Sequence, residues 1–343
     1  MYLSKNRGAM ETHRMLYPIF QCAAVVLTAC CCISFAASAL AQDTPYPEKP
    51  VRFFVPFPPG GSTDIVSRLL GQKLSERFGQ QVIVENRSGG SGIIAAEAVA
   101  KSPADGYLLL LGNTGIFGIN PNLYSKLPYD PIKDYSPVSM LTRVPNVLVV
   151  HPSVPAKSVK ELVNLARKGG RLLNYGSAGS GSLQHLAMEM FKTAANVDFT
   201  HVPYKGAGPA LIDLLGGHLD LQVATLPSVI MHMKSGKLRA LAIGDAKRSS
   251  LIPDIPTIAE SDYPHYEAYS WHGIFVRAGT PTQIVSTLNR EIVSVLAAQD
   301  VREILVRGGF EVVGSTIQDF REVIRRDLAR YADAVKAAGA KVD

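Results

Sequence analysis

Two stretches of small residues carry the chemistry that this sequence offers. One is Pro56-Phe57-Pro58-Pro59-Gly60-Gly61-Ser62-Thr63-Asp64 and the other is Gly176-Ser177-Ala178-Gly179-Ser180-Gly181-Ser182. Each lies between a short apolar run, as a strand would be, and a run with helical spacing. The start of a helix leaves about four backbone N–H groups unpaired and carries partial positive charge, so an anion is favoured there. Glycine lets the backbone come close to a ligand, and Ser62, Thr63, Ser177 and Ser182 add hydroxyl donors. The candidate ligand contacts are Phe57, Gly60, Gly61, Ser62, Thr63 and Asp64 from the first stretch, and Ser177, Ala178, Gly179 and Ser182 from the second. Two such ends facing each other across a cleft would grip two separated carboxylates. In open α/β sheets that crevice, beyond the C-terminal ends of the strands, is the usual ligand position.

Four further residues share the argument. His185 falls in the first turn of the helix after the second stretch, where it either donates to a carboxylate or simply packs and caps. Tyr204 follows another strand-like run, and Asn113 and Thr114 follow the run Tyr107–Leu111. Asp64 is open to two readings, a cap that fixes its loop or a direct contact.

Other chemistries find little support. Gly176, Gly179 and Gly181 run G-x-x-G-x-G, the wrong order for a dinucleotide fingerprint, and no G-K-[ST] phosphate loop occurs. There is no G-x-S-x-G elbow. Ser182 and His185 share a helical turn, but no acid is placed to orient the histidine, so a hydrolase is a remote alternative. The histidines after residue 41 are scattered, with no H-E-x-x-H cluster. We expect no catalytic residues, no metal and no cofactor.

The elements that must position these residues alternate. Val51–Val55, Gln81–Glu85, Tyr107–Leu111, Val147–Val150, Leu172–Tyr175, Phe199–Val202, Leu219–Val223 and Leu238–Ile243 read as strands. Between them lie helical patterns, including Ile65-Leu69-Leu70-Leu74-Phe78, Ser158–Arg167, Ser182–Ala194, Ala207–Leu215 and Ser228–Ser235. Pro281–Ala298 and Ile317–Ala338 are the last two, the second with Phe320, Val323, Ile324, Leu328, Tyr331 and Val335 on one stripe. This pattern predicts an α/β fold with largely parallel strands. The chain crosses between halves near Val138–Val150 and Tyr269–Val276, and the C-terminal helices return to the first half.

All four cysteines (Cys22, Cys30, Cys31 and Cys32) sit in an N-terminal apolar stretch behind Lys5, Arg7 and Arg14. That stretch ends Ala39-Leu40-Ala41, a small-x-small pattern, so residues 1–41 read as a cleaved export signal. An uncleaved anchor and a lipoprotein acylated at Cys30 are the alternatives. Residues 42–343 hold 32 bases and 28 acids, a net charge of +4. That is too weak and dispersed for a nucleic-acid binder. About 300 residues suits two lobes.

Residues along the whole body resemble one family. Tyr46-Pro47, Lys49-Pro50-Val51-Arg52 and Val55-Pro56-Phe57-Pro58-Pro59-Gly60-Gly61-Ser62-Thr63-Asp64 open it. Glu85-Asn86-Arg87, Ala104-Asp105-Gly106-Tyr107, Asn174-Tyr175-Gly176-Ser177-Ala178-Gly179, His201-Val202-Pro203-Tyr204-Lys205-Gly206 and Trp271 with Gly273 follow in order. Together they resemble the Bug family, extracytoplasmic solute receptors of tripartite tricarboxylate transporters. The resemblance implies a two-lobed, type II-like periplasmic binding-protein fold with a ligand cleft between the lobes. Residues 42–145 with 270–343 would form the first lobe and 146–269 the second. It implies a periplasmic monomer that holds a di- or tricarboxylate, or another small organic acid, largely through backbone amides and water. It also implies membrane permease subunits as partners, one large and one small, with no ATPase. A signalling or orphan receptor, presenting its liganded form to a sensor-kinase ectodomain, is the alternative. One departure stands out: many relatives carry an aromatic residue and an acid where this chain has Val223-Ala224-Thr225, which would enlarge the pocket if that stretch lines it.

Overall fold

In the computed structural model, which describes residues 46–170, 172–204 and 206–340, two sheets organise the chain. Its first half runs β1 (Val51–Val55), α1 (Ser62–Phe78), β2 (Val82–Asn86), α2 (Ile93–Ala100), β3 (Leu108–Asn113), α3 (Asn120–Leu123) and β4 (Tyr135–Val144). After Pro145 come β5 (Asn146–Val150), α4 (Val159–Arg167), β6 (Asn174–Ser177), α5 (Leu183–Ala195), β7 (Thr200–Pro203), α6 (Ala207–Leu215), β8 (Leu221–Thr225), α7 (Leu226–Lys234) and β9 (Arg239–Ile243). The chain ends with β10 (Ser270–Arg277), α8 (Thr282–Ala297), α9 (Gln299–Arg307), β11 (Glu311–Val312) and α10 (Ile317–Ala338). The first sheet has the order β11-β4-β10-β3-β1-β2 and the second β7-β6-β8-β5-β9. Each sheet, with its helices, is one lobe of an α/β fold.

The expectation of largely parallel strands needs correction. β1 pairs in parallel with β2 and β3, and β6 with β7 and β8. The remaining pairings, β10 with β3 and β4, β11 with β4, and β5 with β8 and β9, are antiparallel. The reason is the crossover. β4 carries the chain out of the first sheet and β10 carries it back, so these neighbours run in opposite directions. β4, β10 and α9 were not read as elements from sequence. In β4, Pro137 and polar Ser139, Thr142 and Arg143 interrupt the apolar pattern that marks a strand.

Local signals act where they were legible. Ser158 caps α4 by accepting the N–H of Glu161 at 3.1 Å, as a capping box requires. The stripe of α10 divides its work. Phe320 and Ile324 pack into the first lobe's core with Phe54, Leu110, Phe117 and Phe275. Tyr331 and Val335 join Ile119, Leu123, Leu183 and Leu186, so the last turns of this helix also bury apolar surface of α5 in the second lobe.

Candidate functional site

The strand registers decide which way the loops face. β1, β2 and β3 end together at Val55, Asn86 and Asn113. At that same end β10 begins, with His272 opposite Asn113, and β4 finishes, with Val144 opposite Ser270. In the second sheet β6, β7 and β8 end at Ser177, Pro203 and Thr225, and β5 begins there, with Asn146 opposite Thr225. A single residue, Pro145, separates β4 from β5. Both sheets therefore turn the C-terminal ends of their parallel strands, and the helices that start there, towards one joint. The return path runs beside it: Gly244 N–H donates to the Asn146 carbonyl and Ala268 N–H to the Gly244 carbonyl, both at 2.7 Å.

The first stretch is held from beneath. Asp64 is buried, and its carboxylate accepts from Gly60 N–H at 3.0 Å, Arg68 Nε at 2.9 Å and Asn86 Nδ2 at 2.9 Å. Asn86 Nδ2 also donates to the Phe57 carbonyl at 3.0 Å. Burial alone would raise the Asp64 pKa, but these donors outweigh it and hold the pKa below its usual value. Asp64 thus braces the turn. Gly60 and Gly61 are exposed, and Ser62 is half-buried at the first position of α1. The first helical backbone bond is Ile65 N–H to the Gly61 carbonyl. The N–H groups of Ser62, Thr63 and Asp64 thus lie at the open end of the helix.

The second stretch is braced by a stack of rings. Ser177 is buried; its Oγ accepts the Gly179 N–H at 3.1 Å and lies 2.6 Å from His201 Nε2. The rings of His185 and His201 stack at 4.1 Å, and His201 stacks on Tyr175 at 4.8 Å. His185 Nδ1 accepts the Gly181 N–H at 3.1 Å, and Ser182 Oγ accepts the His185 N–H at 3.3 Å as the cap of α5. Burial lowers the pKa of His185, and it lowers that of His201 to about 4, with the neighbouring His185 adding to the effect. Both rings are accordingly neutral at pH 7. Ala178 and Gly179 remain half-buried at the surface of the turn.

The other candidates lie at the same end, each with a polar side-chain atom already engaged. Tyr204 hydroxyl donates to Asp213 Oδ2 at 2.5 Å, pointing along α6, while its N–H donates to the Ser177 carbonyl. Asn113 Oδ1 accepts the Ile116 N–H, and Thr114 Oγ1 accepts the Trp271 N–H at 3.1 Å. His185, Tyr204 and Thr114 hold the loops in shape through these bonds. In the Val223-Ala224-Thr225 stretch, Val223 and Ala224 are buried in the two cores of the second lobe, and Thr225 stands half-buried at the strand end. Sequence reasoning missed His201, His272, Thr142 and Arg143. Their roles come from partners 24 to 210 positions away.

Gly181 shows how near the lobes come. It has φ +75°, and a Cβ there would lie 2.2 Å from Leu123 Cδ2 of α3 in the first lobe. Two surface concavities, of about 430 and 520 Å³, are lined by residues that include Arg52, Phe54, Arg87 and Tyr107 in the first and Pro121, Leu127 and Tyr129 in the second, and neither includes a candidate. Among the described residues no group of His, Asp or Glu is placed to hold a metal ion. No helix among them is long and apolar enough to cross a membrane. The proposed export signal lies outside the described residues.

Comparison with known proteins agrees with the two-lobed fold. Residues 66–340 match the family described as "Tripartite tricarboxylate transporter family receptor". Protein BugT of Bordetella pertussis is 38% identical over 307 residues, covering 89% of this chain and 94% of that protein. Among solved structures, R. palustris Rpa4515 with adipate is 41% identical with a TM-score of 0.79, covering 87% of this chain and all of that one. MatC (Rpa3494) from Rhodopseudomonas palustris, with bound malate, is 32% identical with a TM-score of 0.75, covering 84% of this chain and 100% of that one. The periplasmic binding protein BugD is 33% identical with a TM-score of 0.75, over 87% of this chain and 100% of that one. The two-lobed α/β chain described here belongs to the tripartite tricarboxylate transporter receptor family.

Proposed function

We propose that this protein is a periplasmic receptor that captures a small organic acid, a di- or tricarboxylate or a related carboxylate, and delivers it to the membrane permease of a tripartite tricarboxylate transporter. The observation that supports this reading is the shared joint: the open helix starts at Ser62–Asp64 and at Ser182–Leu183 belong to opposite lobes, and each follows a parallel strand that ends on the side of its sheet where β4 passes into β5. In this reading the first sheet with its helices acts as one jaw and the second sheet with its helices as the other. The adipate and malate of two relatives support the ligand class. The chain acts as a monomer after export, and it binds its ligand without transforming it.

Micromolar affinity requires about −8 kcal/mol. Hydrogen bonds to a charged group contribute roughly 1.5–3 kcal/mol each, so about four amide and hydroxyl donors suffice. Ligand would favour the closed arrangement by its differential affinity for it.

The test is a thermal-shift screen against small organic acids including adipate and malate, followed by calorimetry on Gly61→Val. Gly61 has φ −81°, and a Cβ there meets nothing nearer than 3.9 Å, so the fold tolerates the change while the side chain obstructs the approach to the amides. Weakened binding at unchanged melting temperature is expected. Unchanged affinity would remove the first loop from the site.

A further inference from the structure

His272 lies at the start of β10 and is 3% exposed. Its Nδ1 is 3.1 Å from Thr142 Oγ1 on β4, and its Nε2 is 3.4 Å from Ser62 Oγ at the start of α1. Thr142 is fully buried, and among the described residues its hydroxyl has no other partner within hydrogen-bond distance. A buried hydroxyl proton without an acceptor is costly, so Thr142 donates to Nδ1. Burial lowers the pKa of His272 to about 4, so the ring is neutral at pH 7 and carries one N–H. With Nδ1 accepting, that proton sits on Nε2 and faces Ser62 Oγ. Ser62 accepts it, and the serine's own hydrogen has no other acceptor among the described residues.

We propose that His272 is a positioning residue that turns the hydroxyl hydrogen of Ser62 into the gap between the lobes, making Ser62 an obligate donor to an anionic oxygen of the ligand. This rests on the carboxylate-receptor reading above. Thr142, His272 and Ser62 form a chain of donors pointing one way, and each bond polarises the next. The opposite tautomer would point the chain backwards. Ser62 would then give its hydrogen to Nε2 and offer only lone pairs, which select a hydroxyl or a protonated acid. The direction of one buried proton therefore sets which oxygen chemistry this position accepts. His272 stands at a register position shared with Thr142 and Asn113, at the joint itself. Its ring packs near Phe310, with centroids 6.0 Å apart.

Nitrogen NMR of the histidine-labelled full protein at pH 7 tests the tautomer, with the signal assigned by its loss in His272→Gln. A proton on Nε2 is expected; a proton on Nδ1, or on both nitrogens, overturns the proposal. Thr142→Val should weaken that tautomer preference, and an unchanged spectrum would overturn the role given to Thr142. Calorimetry with adipate and malate reads the consequence. Ser62→Ala and His272→Phe should each weaken binding about tenfold, a typical loss for one hydrogen bond to a charged group. The double variant should lose no more than either alone. His272→Gln, whose amide can still donate towards Ser62, should recover part of the affinity. Losses that multiply, or a His272→Phe variant that binds as the parent does, overturn it. If the parent binds neither acid, the receptor reading falls, while the nitrogen spectrum still decides the direction of the relay.

Discussion

Arg143 and Asp245 stand 2.5 Å apart across the joint between the two sheets, one at the end of β4 and the other two residues beyond β9. The same guanidinium reaches Glu267 at 3.1 Å and lies 3.8 Å over the ring of Tyr269. Glu267 is shared with Arg330 of α10. Two arginines from the first lobe thus clasp two acids of the segment that leads from β9 of the second sheet back to β10 of the first.

This clasp predicts a pH dependence. Burial pushes the Asp245 carboxyl up to about 7, against the pull of Arg143 and with help from Glu311 and Glu267. An unfolded aspartate titrates near 3.9. Between about pH 4 and pH 7 the unfolded chain releases a proton that the folded chain keeps, so stability falls as pH rises through that window. Asp245→Asn should flatten this slope, by at most about 1.4 kcal/mol per pH unit. Urea unfolding at pH 5, 6 and 7 checks it, and parallel slopes for parent and variant would refute it.

Asp64 should behave in the opposite sense. Its pKa is depressed, so the stability it contributes is present above about pH 4 and is lost as pH falls through the folded value. Asp64→Ala orphans Gly60 N–H, Arg68 and Asn86 and should cost about 1–3 kcal/mol at pH 7. In urea melts the gap between parent and variant should close in acid. A gap that stays constant down to pH 2 counts against the brace.

The stacked rings give a third expectation. His201 has a folded pKa of about 4, below the ordinary histidine value, so the unfolded chain takes up its proton first as pH falls from about 6.5. Stability should drop across the window from 6.5 to 4. His201→Phe keeps the stack on Tyr175 and removes the titration, so its melting temperature should vary less with pH over that range. Equal variation in the two proteins would show that the stack does not carry the effect.

Gly181→Ala should separate the lobes locally. The alanine would combine a positive φ with a Cβ pressed against Leu123, at a cost of about 1–3 kcal/mol. Adding Leu123→Ala relieves the collision but not the backbone strain, so the double variant should be less destabilised than the two single changes summed. Strict additivity in chemical denaturation would mean that Gly181 and Leu123 do not press on each other.

Much of the local structure was legible because local rules set it. The helices Ala207–Leu215 and Ile317–Ala338 fall where their apolar spacing puts them. The cap at Ser158 follows from its own side chain. Strand limits slipped by one or two residues where small or polar residues continue the pairing. β6 runs on to Ser177, and β3 to Asn113, because neighbouring strands supply partners there. β4 and β10 escaped as strands because their pattern is broken by polar residues that the joint uses.

The sequence by itself determined the alternation of elements, the two glycine-bearing turns at helix starts and the family to which they belong. These depend on spacing and on backbone chemistry within a few residues. Tertiary structure alone decided that β4 and β10 run against their neighbours, which puts both turns at the sheet ends where the chain crosses over. It also decided that Asp64, His185 and Tyr204 face inward as braces, and that Ser62 meets a histidine 210 positions away. The reason is physical: a side chain's partner is set by which strands lie side by side, and in this fold the chain leaves one sheet and returns to it only after more than a hundred residues.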